Sequence, residues 1–126
     1  MNLNLHVLTR EALDCARTLF PDSLIDVEHR GEGDCAVDHA GVVATIAALL
    51  GVALASLADG ESLWIRSSGT DAAQLTVDLR WRGDEPDPGL LAEAIRMAES
   101  IGGGVAREPS EGERHLGLRL DRLASP

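Results

Sequence analysis

The stretch AGVVATIAALLGVALASLA, Ala40 to Ala58, runs for nineteen residues without a charged side chain. Thr45 and Ser56 are its only polar side chains. Its length falls within the ~17 to 25 residues that suffice to cross a bilayer, so a membrane span has to be weighed first. The flanks argue against it: Asp38 and His39 precede the run, Asp59 and Glu61 follow it, and there is no Lys or Arg anchor or aromatic belt. A helix apolar on nearly every face within an otherwise polar chain is expected to lie between a sheet and flanking helices.

Helical and strand patterns alternate on both sides of this helix. Ala12, Leu13, Ala16, Leu19 and Phe20 recur at helical spacing, which predicts a helix over Thr9 to Phe20 with Thr9 as N-cap and Pro21 as its end. Leu24 to Glu28 reads as a strand, Gly31 to Asp34 as a turn, and Cys35 to Val37 as a second short strand. Beyond Asp59-Gly60, Leu63 and Ile65 form one alternating run and Leu75, Val77, Leu79 and Trp81 another, with Ser67 to Asp71 expected as the hairpin turn between them. Pro88 to Ile101 returns to helical spacing and is closed by Gly102-Gly103-Gly104. Val105 to Arg107 and Leu116 to Leu120 supply a last hairpin, turning at Pro109 to Gly112. The order is three repeats of a helix followed by two strands, which predicts an α/β (α+β) two-layer sandwich: a mixed sheet with helices on one face.

At 126 residues the chain is expected to form one domain, residues 1–126. Its net charge of -10 disfavours nucleic acid and anionic membranes and leaves basic protein surfaces as the expected partners. Cys15 and Cys35 form no CxxC pair and no metal-spaced cluster, so two reduced, buried thiols are expected, in keeping with a cytoplasmic location. Met1 to His6 lacks the basic and apolar regions of a signal peptide. His6, His29, His39 and His115 are scattered in sequence and read as surface or satisfied side chains. Ser67-Ser68-Gly69-Thr70 has no recognisable base beside it and reads as a turn rather than a nucleophile.

Over nearly its whole length the chain resembles the ATP-binding domain of sensor histidine kinases and their relatives, the GHKL or Bergerat fold. The family motif D-x-x-R-L-x-Q-V-L-x-N-L-L-x-N-A aligns without a gap to Asp38–Ala53, and Asp38, Leu49, Leu50 and Ala53 match. The two Asn positions fall on Ala48 and Val52. The resemblance implies that the second Asn helps hold magnesium and the phosphates, and valine has no oxygen to donate. The motif V-x-V-x-D-x-G-x-G aligns to Val77–Glu85, where Val77, Leu79 and Gly83 fit. Its adenine-reading Asp falls on Trp81 and its last Gly on Glu85, a carboxylate that opposes phosphate. The long lid of the family is reduced to Asp84–Pro88, and the G-L-G-L that follows it to Gly89-Leu90-Leu91.

These departures lead to the expectation of a degenerate nucleotide site without catalysis, cofactor or metal. The chain would then be a regulatory or docking module in two-component-type signalling, with a response regulator or kinase as its protein partner. Two other readings stay open: a functional ATP-binding kinase domain with unusual motifs, and a small-ligand binder using the relict pocket.

Overall fold

The computed structural model describes residues 3–35, 38–70, 73–108 and 112–121. The chain runs β1 (Leu3–Asn4), α1 (Leu5–Leu19), β2 (Leu24–Gly31), β3 (Asp34–Cys35), α2 (His39–Ala55), β4 (Ser62–Gly69), β5 (Gln74–Trp81), α3 (Pro88–Ser100), β6 (Gly104–Arg107) and β7 (Arg114–Asp121). Five strands form one sheet in the order β2-β4-β5-β7-β6, and β1 pairs with β3 in a separate two-stranded ribbon. β2 lies parallel to β4, whereas every other pairing is antiparallel, so the sheet is mixed as expected. Burial alternates along β4 and β5, which puts Leu63, Ile65, Leu75, Val77, Leu79 and Trp81 on the face that carries the helices.

α2 is the middle helix of the helical layer, between α1 and α3 and against β5. Asp38 caps it by accepting from the Gly41 amide at 3.2 Å, and Val42, Ile46, Leu49, Leu50 and Ala53 are fully buried. Each such Leu, Ile or Val contributes roughly 1.5–3 kcal/mol relative to an exposed position. The apolar run reads as one helix up to Asp59, but the helix ends four residues earlier. Its cap, Ser56, returns its own amide to Ala53, and Leu57 and Ala58 leave as extended chain.

α1 starts earlier than Thr9. Asn4 is the N-cap, accepting from the His6 amide at 2.9 Å, and Leu5 and Leu8 extend the buried stripe of Ala12, Leu13 and Ala16. Thr9 is instead a fully buried helical residue whose hydroxyl donates to the Leu5 carbonyl at 2.8 Å. The buried stripe leaves Cys15 on the opposite side, exposed, which corrects the expectation of a buried thiol. β2 continues three residues beyond Glu28 because its register with β4 runs to Gly31↔Gly69. Ser67 to Gly69, expected in a turn, therefore belong to β4, and Ser67 is fully buried. β3 begins at Asp34. Ala36, Val37 and Asp71 lie outside the described residues, as do three residues of the last expected turn, Pro109 to Glu111.

Asp87 caps α3 by accepting from the Leu90 amide at 2.9 Å, with Pro88 at the first helical position. Gly102, at φ 79°, ends the helix, and the Gly103 amide donates back to the Ala98 carbonyl at 2.9 Å. The glycine run is a helix stop, as its sequence suggests. Among the described residues no helix is long and apolar enough to cross a membrane.

Assigning the α1 cap to Asn4 has a measurable consequence. Asn4→Ala is expected to cost about 1 kcal/mol in urea unfolding, the usual loss for an Asn N-cap. A change of a few tenths or less would contradict the assignment.

Candidate functional site

The residues at the family's nucleotide positions come together at one end of the sheet, where α2 finishes and β5 delivers the chain to α3. Val52 and Trp81 are each 2 % exposed and belong to the same buried apolar cluster. Ala48 is half-buried against that cluster. The two hydroxyls of α2 are turned onto the helix itself: Thr45 Oγ1 donates to the Gly41 carbonyl at 2.7 Å and Ser56 Oγ to the Val52 carbonyl at 3.0 Å. Both side chains are buried and both hydroxyl hydrogens are used on main-chain carbonyls.

The seam between α2 and the segment after β5 is closed by main-chain hydrogen bonds. The Ala58 amide donates to the Arg82 carbonyl at 2.9 Å, and the Asp84 amide to the Ser56 carbonyl at 2.8 Å, making an antiparallel bridge between Leu57 and Gly83. A Cβ on Gly83 would overlap the Ser56 carbonyl oxygen. Gly83 thus serves close packing of backbone on backbone, a demand that only glycine meets.

Glu85 points away from this seam. Its carboxylate joins Arg114, at 2.5 Å, to Arg107, at 3.3 Å, and Arg114 Nε also donates to the Gly83 carbonyl at 3.3 Å. These residues, with Trp81, Pro86, Glu108 and Glu113, line a cavity of about 290 Å³. Asp59, Glu61, Asp84 and Asp87 lie on the loops at the same end of the sheet. Arg107 and Arg114 are held by Glu85, and the surrounding carboxylates repel a phosphate. Gly89 is exposed in the first turn of α3, three residues after the buried Pro86. The residues present therefore do not fit a magnesium-bound triphosphate. Val52 supplies no metal ligand, Trp81 no acceptor for an adenine amino group, and Glu85 an opposing charge.

Two histidines and a serine that read as unrelated in sequence meet at the opposite end of β4. His6 Nδ1 and His29 Nδ1 each lie 2.6 Å from Ser67 Oγ, and the two rings are 4.8 Å apart between centroids. Ser67 thus has imidazole partners, against the expectation of none. Of the other histidines, His115 Nε2 donates to Asp78 Oδ1 at 3.0 Å while its Nδ1 is buried without a hydrogen-bond partner among the described residues, and His39 Nε2 pairs with Glu11 at 2.7 Å on the surface. Among the described residues no group of three or more His, Cys, Asp or Glu side chains is placed to hold a metal ion.

No protein-family model matches the chain, and no curated protein matches it in sequence. Solved structures do. The catalytic domain of histidine kinase ThkA, in a nucleotide-free form, superposes with a TM-score of 0.80 at 14% identity, over 99% of this chain and 98% of that one. The mycobacterial sensor histidine kinase MprB gives 0.77 at 13% identity, over 99% and 100%. A histidine kinase from Burkholderia phymatum gives 0.77 at 16% identity, over 98% and 71%. The chain has the fold of histidine-kinase catalytic domains; at such identities the likeness carries fold and not activity.

A nearly sealed Trp81 should behave as a core residue. Trp81→Ala is expected to cost about 3–5 kcal/mol in denaturant unfolding, the range for large aromatic truncations in cores. A loss under about 1 kcal/mol, typical of surface positions, would place the indole outside the core.

Proposed function

We propose that this chain is a pseudo-ATPase domain of histidine-kinase type, without catalysis, nucleotide or metal, that acts in the cytoplasm as a regulatory or docking module in two-component-type signalling. The single observation that carries the reading is α2 itself. In this fold α2 holds the position of the helix that would grip the triphosphate, and its only two hydroxyls are buried on their own helix carbonyls while Val52 faces the core. Trp81 supports it from the sheet side, an indole buried at the position where the aligned motif has its adenine-reading Asp. The Leu57–Gly83 bridge ties the end of α2 to the end of β5 by its backbone, so that the two segments carrying the aligned motif positions are held together without a ligand. A fold kept intact while the ligand groups are apolar acts most directly through its surface.

The expected partner is a response regulator or kinase presenting a basic face to the net charge of -10. Its affinity should fall as ionic strength rises, because exposed charges are screened beyond about 8 Å at physiological salt; an affinity unchanged between low and high salt would contradict electrostatic docking.

Calorimetry with ATP and magnesium separates the proposal from a functional ATP-binding domain. The expected result is a dissociation constant weaker than about 1 mM, since loss of the metal-holding amide, the adenine acceptor and the phosphate-approach glycine each removes binding free energy. A constant below about 100 µM on the same scale would overturn the reading. Saturable binding of a different small molecule in the cavity beside Glu85 would favour the relict-pocket alternative instead.

A further inference from the structure

The His6–Ser67–His29 cluster allows its proton positions to be deduced. His6 Nε2 lies 2.9 Å from the Gly31 carbonyl oxygen, which can only accept, so Nε2 carries a hydrogen. In neutral His6, Nδ1 is then an acceptor, and the partner 2.6 Å away, Ser67 Oγ, must donate to it. Having used its hydrogen, Ser67 Oγ accepts from His29 Nδ1–H, also at 2.6 Å. One continuous chain runs from His29 through Ser67 and His6 to Gly31 with both imidazoles neutral; a proton on His29 Nε2 leaves the Nδ1–H bond in place and acts instead through the new N–H it creates. The remaining nitrogen, His29 Nε2, is bare, buried and without a hydrogen-bond partner.

We propose that this chain is an acid-sensitive latch: it holds the first turn of α1 on β2 and β4 while both imidazoles are neutral and releases that turn when His29 takes up a proton. A proton on His29 Nε2 creates an N–H with no acceptor in a buried position. The basic groups of α1 oppose that proton, and the nearby carboxylates are engaged with other partners. From α1 come His6 and Arg10, both of which push the His29 imidazole below its ordinary value, after burial as the first cause. β4 presents only the hydroxyl of Ser67. Asp34 of β3 lies within 3.5 Å of the Asn4 amide nitrogen, and Glu28 is paired with Arg30 beside it on β2.

The latch is a tether because His6 joins the start of α1 to two strands at once. The same turn is otherwise fixed by the Asn4 cap and by the Leu5 amide, which donates to the Gly33 carbonyl at 2.7 Å. Gly33 packs so closely that a Cβ there would stand 2.8 Å from Asn4 Oδ1 and 3.0 Å from the His6 ring, so the turn leaves no room for a side chain at this position.

The sign follows from linkage. With a folded value depressed below 6.5, the unfolded or opened state binds more protons, so the closed latch loses stability as pH falls through 6.5, and the loss levels off below the folded value. Each pH unit of depression makes opening tenfold more favourable at the acid limit. Amide hydrogen exchange of the whole chain, corrected for intrinsic rates and followed by NMR at about pH 7.5 and about pH 5.5, reads this directly. Protection at the Leu5 and His6 amides should fall at least about threefold on acidification, while the Ile46 amide in α2 holds. In His29→Gln the response should vanish. Equal protection at both pH values, or an undiminished acid response in His29→Gln, would overturn the latch. Should the variant not fold, the His29 ring protons of the wild-type chain decide: a midpoint at or above 6.5 contradicts the proposal, and a lower midpoint shared with the Leu5 opening supports it.

Discussion

The short antiparallel bridge between Leu57 and Gly83 is the constraint on which the functional end of the molecule depends. Two hydrogen bonds, Ala58 to Arg82 and Asp84 to Ser56, fasten the exit of α2 to the exit of β5. Because Gly83 has no side chain, the two backbones can meet this closely, two residues after the buried Trp81. The loop that leaves it needs only a few residues to reach Asp87, the cap of α3, and on the way Glu85 locks the β6–β7 hairpin through Arg107 and Arg114.

A protein domain that evolved around a bound nucleotide has a polar slot in an otherwise apolar sandwich. In the proposed reading that slot is filled from within: valine on the helix, tryptophan on the strand, and a carboxylate satisfying the nearby arginines. Burial of Val52 and Trp81 adds to the core where a ligand would otherwise contribute stability by binding. The fold can then persist without nucleotide, and its surface is free to serve contacts alone.

Much of the fold was legible because local signals agreed with the tertiary outcome. The uncharged run could be covered only in the middle of a sandwich, and the alternation through Leu75, Val77, Leu79 and Trp81 already placed the indole on the inner face. The bridge was not legible, since nothing in Leu57 or Gly83 alone announces a partner. The start of α1 was missed because Thr9 is a good cap by type, whereas Leu5 and Leu8 continue the same buried stripe backward and Asn4 precedes them. The same stripe, counted forward, leaves Cys15 on the outer side. Ser67 read as a turn from composition, but the pairing of Gly31 with Gly69 carries the strand past it. His6, His29 and Ser67 meet only through the parallel β2–β4 pairing and the docking of α1, contacts between distant segments that a single sequence does not encode locally.

Native-state hydrogen exchange at the Ala58 and Asp84 amides tests most directly whether the seam between α2 and β5 is permanently closed. A slot filled by the protein itself predicts that both amides exchange only through global unfolding, with an opening free energy equal to that of the core α2 amides. Exchange of both by a separate local opening, several-fold faster than that of the core and slowed by ATP with magnesium, would contradict it.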